Sequence, residues 1–142
     1  MSWFEGKKVV VPIDFGELSQ KAVDEALEMA LRPTDIHVVH VAPDLLAMTP
    51  PVGWADIDDT KRAANIEATF RKQFSDSKYH GISFKVLFGN PGHDIARYAE
   101  EVGANVIVMP SHGRSGLKHL MLGSVAERVL RFAHCPVLVL RH

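Results

Sequence analysis

The last third of the chain reads Asn105-Val106-Ile107-Val108-Met109-Pro110-Ser111-His112-Gly113-Arg114-Ser115-Gly116. Its first five residues form the kind of short apolar run that is typical of a buried strand. After Gly123, an amphipathic pattern over 124–133 predicts a helix. A glycine-rich turn between a strand and a helix lets backbone N–H groups approach an anion closely, and the helix dipole adds attraction. This stretch therefore predicts a strand, an anion-binding loop and a helix.

The start of that helix has a second signal. Ser124 is followed three residues later by Glu127, which is the spacing of a capping box and predicts Ser124 as the N-cap. A helix cap of this kind needs no ligand. On the glycines alone, an ordinary surface loop and a phosphate-binding loop are equally good interpretations.

The rest of the chain alternates between strand and helix patterns. Helical periodicity is present in four segments, at 18–30, 59–74, 91–102 and 124–133. Asn90 and Pro91 are a cap and a first helical residue for the third of these, and Gly103 suits its C-terminal left-handed turn. Apolar strand patterns occur at 9–13, 36–41, 82–88, 105–109 and 137–140, and residues 42–56 read as a long loop. Alternation of this kind predicts a single α/β domain over 1–142 with a parallel sheet.

Composition excludes several classes of protein. The chain has 142 residues and a formal net charge of −1, which argues against a nucleic-acid-binding surface. No apolar run reaches the roughly 18 residues of a membrane span, and residues 1–6 lack the apolar core of a signal peptide. Cys135 is the one cysteine, so an internal disulfide is excluded. Its place before an apolar run favours a structural role over a reactive one. We expect a cytoplasmic protein.

The histidines do not form a recognisable metal or catalytic site. There are eight of them, but His37 and His40 are three apart on a predicted strand and so face opposite sides. His112 and His119 have no cysteine or carboxylate at a zinc-ligand spacing. The chain also lacks the serine elbow of hydrolases and a P-loop. We therefore predict no metal site built from histidines and no catalytic residue.

Family resemblance narrows these alternatives. Nine residues separate Gly113 from Gly123, and Ser124 follows directly. This spacing, the opening 7–14, the Gly89-Asn90-Pro91 turn and the closing 135–139 resemble the universal stress protein family from end to end. The resemblance implies a doubly wound five-stranded sheet of order 3-2-1-4-5, of the adenine nucleotide alpha hydrolase type, with helices on both faces. In such a sheet, ligands bind at the carboxyl ends of the strands where the order reverses, here between strands 1 and 4.

The resemblance also implies a ligand, which is ATP or a related adenine nucleotide, with or without Mg²⁺. It assigns to Val41 a backbone contact with adenine, and to Gly113, Gly123, Ser124 and Val125 contacts with phosphates. Asp14 would bind ribose or a phosphate-bound metal; the alternative is that it caps the helix that starts near Glu17. Arg114 would either reach a phosphate or remain solvated. The full predicted set is Pro12, Ile13, Asp14, Val41, Met109, Pro110, His112, Gly113, Arg114, Gly123, Ser124 and Val125.

Pro110 is a departure from the family pattern, because the family has its first glycine at this position. Proline has no N–H donor and fixes φ near −65°. If the glycine serves as a donor, this chain has lost that contact. If the glycine only allows close approach of the sugar, the proline ring is compatible with binding.

The resulting functional hypothesis is a stress-response sensor or regulatory module that binds ATP and hydrolyses it slowly at most. The alternative is a nucleotide-free dimeric interaction protein of the same fold. A nucleotidyl-transferring or flavin-binding enzyme would share the fold, but the chain lacks the additional catalytic elements. Residues 136–140 form an apolar final strand without protecting charges, and this predicts a homodimer through that strand.

Overall fold

The computed structural model describes residues 7–45, 58–111 and 122–141. Within these residues the chain forms a parallel five-stranded sheet of order β3-β2-β1-β4-β5. The strands are β1 (Val9–Pro12), β2 (Ile36–Ala42), β3 (Ser83–Phe88), β4 (Val106–Pro110) and β5 (Val137–Leu140). The predicted α/β class and strand order are confirmed.

Longer α-helices connect the strands. They are α1 (Glu17–Met29), α2 (Asp59–Gln73), α3 (Pro91–Val102) and α4 (Ser124–Phe132), and two short 3₁₀ turns cover Pro33–Asp35 and Ser77–Tyr79. The start of α3 confirms the prediction, because the Asn90 side chain accepts a hydrogen bond from the His93 N–H and Pro91 is at the first turn. The end of α3 also confirms the prediction, because Gly103 is in the left-handed region at φ 71°. Most of the predicted loop lies outside the described residues.

The helices cover both faces of the sheet. Val9 and Val11 point to a cluster formed with α1 and α2, and this cluster includes Val23 and Phe70. Val10 points to the opposite cluster, which is formed with α3 and α4. This alternation of neighbouring residues explains why the first strand is a continuous run of valines rather than an alternating pattern. The sheet is doubly wound, as predicted.

Candidate functional site

The seam between β1 and β4 opens at its carboxyl end. The two strands pair at Val9 with Val106 and at Val10 with Ile107, and the described ladder stops there. After β1, the Ile13 N–H donates to the Val39 carbonyl of β2. Neighbouring residues of a strand in a parallel sheet direct their backbone groups to opposite sides, so the backbone of Pro12 faces β4. Proline has no N–H, and it therefore cannot continue this ladder.

Pro110, the last residue of β4, interrupts the ladder in the same way as Pro12. The N–H groups of Ile107 and Ser111 donate to Pro136 and Leu140 of β5 at 3.0 and 2.9 Å. By alternation, the position of Pro110 faces β1, and proline offers no donor there either. The hydrogen-bonded ladder between β1 and β4 therefore stops before the carboxyl ends of the two strands, and we call this unpaired end, where the strand order reverses, the opening.

Asp14 follows β1 at this opening and makes hydrogen bonds with Gly16 and Ser19. One carboxylate oxygen accepts hydrogen bonds from the Gly16 N–H at 2.9 Å and from the Ser19 hydroxyl at 2.8 Å. The Ser19 oxygen also accepts from the Asp14 N–H at 3.0 Å. The N-cap of α1 is Gly16, so Asp14 is not the cap residue, although its carboxylate stabilises the turn before the helix. Ser19 is fully buried and fixes the orientation of the Asp14 carboxylate.

Phe15 continues this turn in a strained conformation. Its φ is 67°, which is unusual for a bulky residue. The ring packs edge-on against His40, with the centroids 4.9 Å apart, and against Phe84 at 6.3 Å. The His40 ring in turn contacts the Ile13 carbonyl, with Nδ1 at 2.8 Å from the oxygen. Aromatic packing from β2 and β3 thus holds the turn after β1 in place.

The start of α4 differs from its sequence-based prediction. The N-cap is Gly123, with φ −64° and ψ 157°, and Ser124 is the first helical residue. Within the described residues no side chain caps this helix start, and the Glu127 carboxylate accepts from Arg131 at 3.1 Å instead. The predicted capping box at Ser124 is therefore wrong. Its residues are shifted by one position relative to the helix start, so the Ser124 hydroxyl does not cap the helix.

Ser111 ties the end of β4 to the start of α4. Its carbonyl accepts a hydrogen bond from the Gly123 N–H at 2.7 Å. The Gly123 N–H therefore has a protein partner, whereas the resemblance implied that it binds phosphate. The N–H groups of the first helical turn, including those of Ser124 and Val125, have no intrahelical acceptor. They are the donors that α4 offers at the opening.

The predicted site residues fall into three groups. Residues that lie at the carboxyl ends of adjacent strands are Pro12, Ile13, Asp14, Val41, Met109 and Pro110. Residues at the start of α4 are Gly123, Ser124 and Val125. The predictions for His112, Gly113 and Arg114 lie outside the described residues.

Sequence reasoning missed Ser19, His40 and Ser111. Ser19 was part of an apparently ordinary helix start, and the chain gives no local signal that its hydroxyl reaches back to Asp14. In the sequence, His40 stands out only as one of two histidines on a predicted strand. The alternation of side chains along β2 predicts the face of the sheet on which His40 lies. Its hydrogen-bond partner is the Ile13 carbonyl, directly after β1, and this contact depends on the strand order.

Burial also affects two titratable groups away from this opening. Burial and the nearby Lys8 charge lower the pKa of His37 below its usual value. Burial raises the pKa of the Cys135 thiol, which packs against the cluster of α3 and α4. A raised thiol pKa disfavours the nucleophilic thiolate, in agreement with a structural role.

Comparisons with known proteins identify the family. The sequence model described as the universal stress protein family matches residues 6–141. Universal stress protein MJ0531 of Methanocaldococcus jannaschii is 34% identical over 140 residues, which is 95% of this chain and 82% of the relative. The structure of MJ0577, from the same organism, has a TM-score of 0.75 at 25% identity, and the alignment covers 100% of this chain and 98% of that chain.

A further solved structure has the same fold. It is a universal stress protein in complex with cAMP, with a TM-score of 0.62 at 22% identity, covering 94% of this chain and 96% of that chain. In the part of the chain that the structure describes, no helix is both long and apolar enough to cross a membrane. The family match spans nearly the whole chain and agrees with the observed strand order. The chain therefore belongs to the universal stress protein family.

Proposed function

We propose that this protein binds ATP or a related adenine nucleotide at the opening between β1 and β4, and that it acts as a stress-response sensor or regulatory module. The observation that carries the proposal is the combination of this opening with an uncapped helix start beside it. A related protein of the same fold has been solved with cAMP, which is an adenine nucleotide. Ligand recognition at this point of the sheet follows the general rule for open α/β sheets.

The start of α4 suits the phosphates. Anions are stabilised at helix N-termini by N–H groups that lack an intrahelical partner and by the helix dipole. Gly123 has no side chain to occupy this position, and Ser124 is exposed with its hydroxyl not used as a cap. Gly113 and Arg114, from outside the described residues, would complete the phosphate contacts.

Asp14 suits the ribose or a phosphate-bound Mg²⁺. Magnesium in nucleotide sites is commonly held by one or two carboxylates together with phosphate oxygens. The Asp14 carboxylate is preoriented by Ser19 and Gly16, which lowers the cost of ordering it on binding. Rapid hydrolysis would also need a positioned water and further charge neutralisation at the γ-phosphate. We propose that hydrolysis is slow at most.

Isothermal titration calorimetry with ATP, ADP and AMP, on nucleotide-stripped protein with Mg²⁺, tests the proposal. We expect binding of at least one of them by the parent. Gly123→Val should abolish it, because the added side chain would block the approach of phosphate to the first turn of α4. The backbone angles of Gly123 are accessible to valine, so a thermal melt should show a folded variant. The absence of heat with all three nucleotides at millimolar concentration would reject the proposal.

The alternative is a nucleotide-free interaction protein. Pro110 favours it, because the chain lacks a backbone donor where the family pattern has glycine. Native mass spectrometry of freshly purified protein distinguishes the two functions by showing whether a nucleotide of the expected mass co-purifies.

A homodimer through β5 is compatible with either function. β5 is an edge strand, and all four of its apolar residues are only partly buried. Leu130 and Phe132 on the adjacent α4 are 43% and 44% exposed, so within the described chain this side of the sheet is incompletely covered. An exposed apolar edge strand favours pairing with another copy.

Light scattering tests the dimer. The parent should be dimeric at micromolar concentration. Val139→Asp would place a charge in the middle of the seam and should give a folded monomer. A parent that is already monomeric at this concentration would reject the dimer without affecting the nucleotide proposal.

A further inference from the structure

The ladder between β1 and β2 ends one hydrogen bond early. The strands pair from Val9 with Ile36 to Pro12 with Val39, and the Ile13 N–H then donates to the Val39 carbonyl at 2.9 Å. The regular continuation of a parallel ladder would be a bond from the Val41 N–H to the Ile13 carbonyl. Within the described residues this bond is not made, and the pairing of β1 with β2 does not extend to it.

The His40 side chain takes the place of the missing bond. Its Nδ1 lies 2.8 Å from the Ile13 oxygen. A carbonyl can only accept, so Nδ1 carries the proton in this contact. The ring is held in this orientation by Phe15, which packs against it edge-on with the centroids 4.9 Å apart. A carbonyl oxygen has two lone pairs, so the imidazole acts by orientation: its bond holds the Ile13 carbonyl towards the His40 side chain, on one face of the sheet, and away from the in-plane position that the Val41 N–H would need.

The consequence for Val41 is an open backbone donor. Val41 is 9% exposed, and the alternation of the ladder directs its N–H towards β1 at the carboxyl end of the sheet. Backbone N–H groups that are buried without a partner are rare and costly. An open donor at this position therefore indicates a site that is completed by a ligand acceptor.

We propose that His40 is a positioning residue for nucleotide binding: by holding the Ile13 carbonyl, it keeps the Val41 N–H available for an acceptor nitrogen of the purine ring. This inference rests on the proposed nucleotide-binding function and adds to it the means by which the base end of the site is kept open. The His40 side chain itself does not touch the ligand. It acts through Ile13 and Val41.

The test compares three variants with the parent. His40→Leu removes the side-chain donor, so the Val41 N–H can complete the ladder to Ile13. His40→Asn retains a donor near the position of Nδ1 and should behave like the parent. His37→Leu is the matched control, because it makes the same change on the same strand but away from the ladder end.

The first readout is hydrogen exchange of the Val41 amide, followed by NMR without nucleotide. In His40→Leu the new ladder bond should slow this exchange by about 2- to 10-fold, as expected for one neutral hydrogen bond. In His40→Asn and His37→Leu it should match the parent. Equal exchange in the parent and in His40→Leu would overturn the inference, whether or not a nucleotide binds.

The second readout is ligand affinity, with ATP and with inorganic tripolyphosphate as the probes. His40→Leu should bind ATP about 2- to 10-fold more weakly, with unchanged binding of tripolyphosphate, because the phosphate end of the site is intact. An equal loss for both probes would indicate general damage and overturn the inference, as would unchanged ATP affinity. If the parent binds no adenine nucleotide at all, the proposed function fails, and with it the assignment of purine as the ligand.

Discussion

The starts of α3 and α4 lie at the same end of the sheet and differ in how their backbone donors are satisfied. At α3, the Asn90 side chain accepts from the His93 N–H at 3.4 Å, and the Asn90 N–H donates to the Asp94 carboxylate at 3.0 Å. Pro91 has no N–H to satisfy. At α4, the cap position is Gly123, which has no side chain, and no capping hydrogen bond is made.

This difference separates a structural helix start from one that is open to a ligand. Side-chain capping by Asn, Asp or Ser is worth about 1 kcal/mol relative to alanine, and a glycine cap such as Gly123 gives up only a few tenths of this. α2 follows the structural pattern, since the Asp58 side chain accepts from the Thr60 and Lys61 N–H groups. Among the described α-helices, α1 and α4 both begin at a glycine N-cap without a side-chain cap, and α4 begins beside the opening between β1 and β4.

The two starts are also packed together. Gly92 in the first turn of α3 lies so close to α4 that an added Cβ would overlap the Cβ of Arg128. The Arg128 guanidinium also lies 3.4 Å from the Asn90 side-chain oxygen. The capped start of α3 therefore supports α4 from the side.

The largest effect should come from converting the α4 start into the α3 type. In Gly123→Asp, the new carboxylate can cap the helix and should raise the stability of the nucleotide-free protein by about 0.5–1 kcal/mol. It would also place a negative charge where the phosphates are proposed to bind, and affinity for ATP should fall by at least about 100-fold. Chemical denaturation and calorimetry measure the two quantities.

The opposite change at α3 is the matched control. Asn90→Ala should lower the stability by about 1 kcal/mol and leave ATP affinity unchanged. If Asn90→Ala weakens binding as much as Gly123→Asp, or if Gly123→Asp binds ATP normally, the distinction between the two helix starts does not hold.

A smaller effect is expected from Ser124→Ala. Because Ser124 is the first helical residue and not the cap, its loss should change stability by less than about 0.5 kcal/mol. Loss of a hydroxyl contact with a charged phosphate should weaken ATP binding by about 10- to 100-fold. A stability loss near 1 kcal/mol with normal binding would instead support the capping function that the sequence suggested.

The strand order could not be predicted from the pattern of residues alone, and it came from the resemblance to the family. The element types were predictable locally, because runs such as 9–13 and periodic segments such as 91–102 carry their own signal. Boundaries shifted by at most one residue. Pro110 is an example. It belongs to β4 because β4 pairs with β5 up to this residue, and its missing N–H would face β1, so the proline does not interrupt the pairing with β5.

The site was predicted less completely than the fold. Asp14, which follows a strand end, and Ser124, which begins a helix, could be proposed because their positions carry a sequence signal. The contacts of His40 and Ser111 were not, because each joins segments that are far apart in sequence. The capping box failed for a related reason, since the Ser-x-x-Glu spacing does not fix where the helix begins.

The smallest effect concerns Pro110, where this chain departs from its family. In Pro110→Gly, the restored N–H would face the open seam towards β1, where the nucleotide is proposed to bind. One neutral hydrogen bond is worth about 0.5–1.5 kcal/mol, so ATP should bind about 2- to 10-fold more tightly. The greater freedom of the unfolded glycine chain should lower the stability by about 0.4–1 kcal/mol. Calorimetry and denaturation separate the two effects.

The new N–H could instead donate to the Pro12 carbonyl and extend the ladder between β1 and β4, which would narrow the opening. Unchanged or weaker ATP binding by Pro110→Gly would therefore contradict the expectation, and it would show that the proline ring is compatible with the bound state.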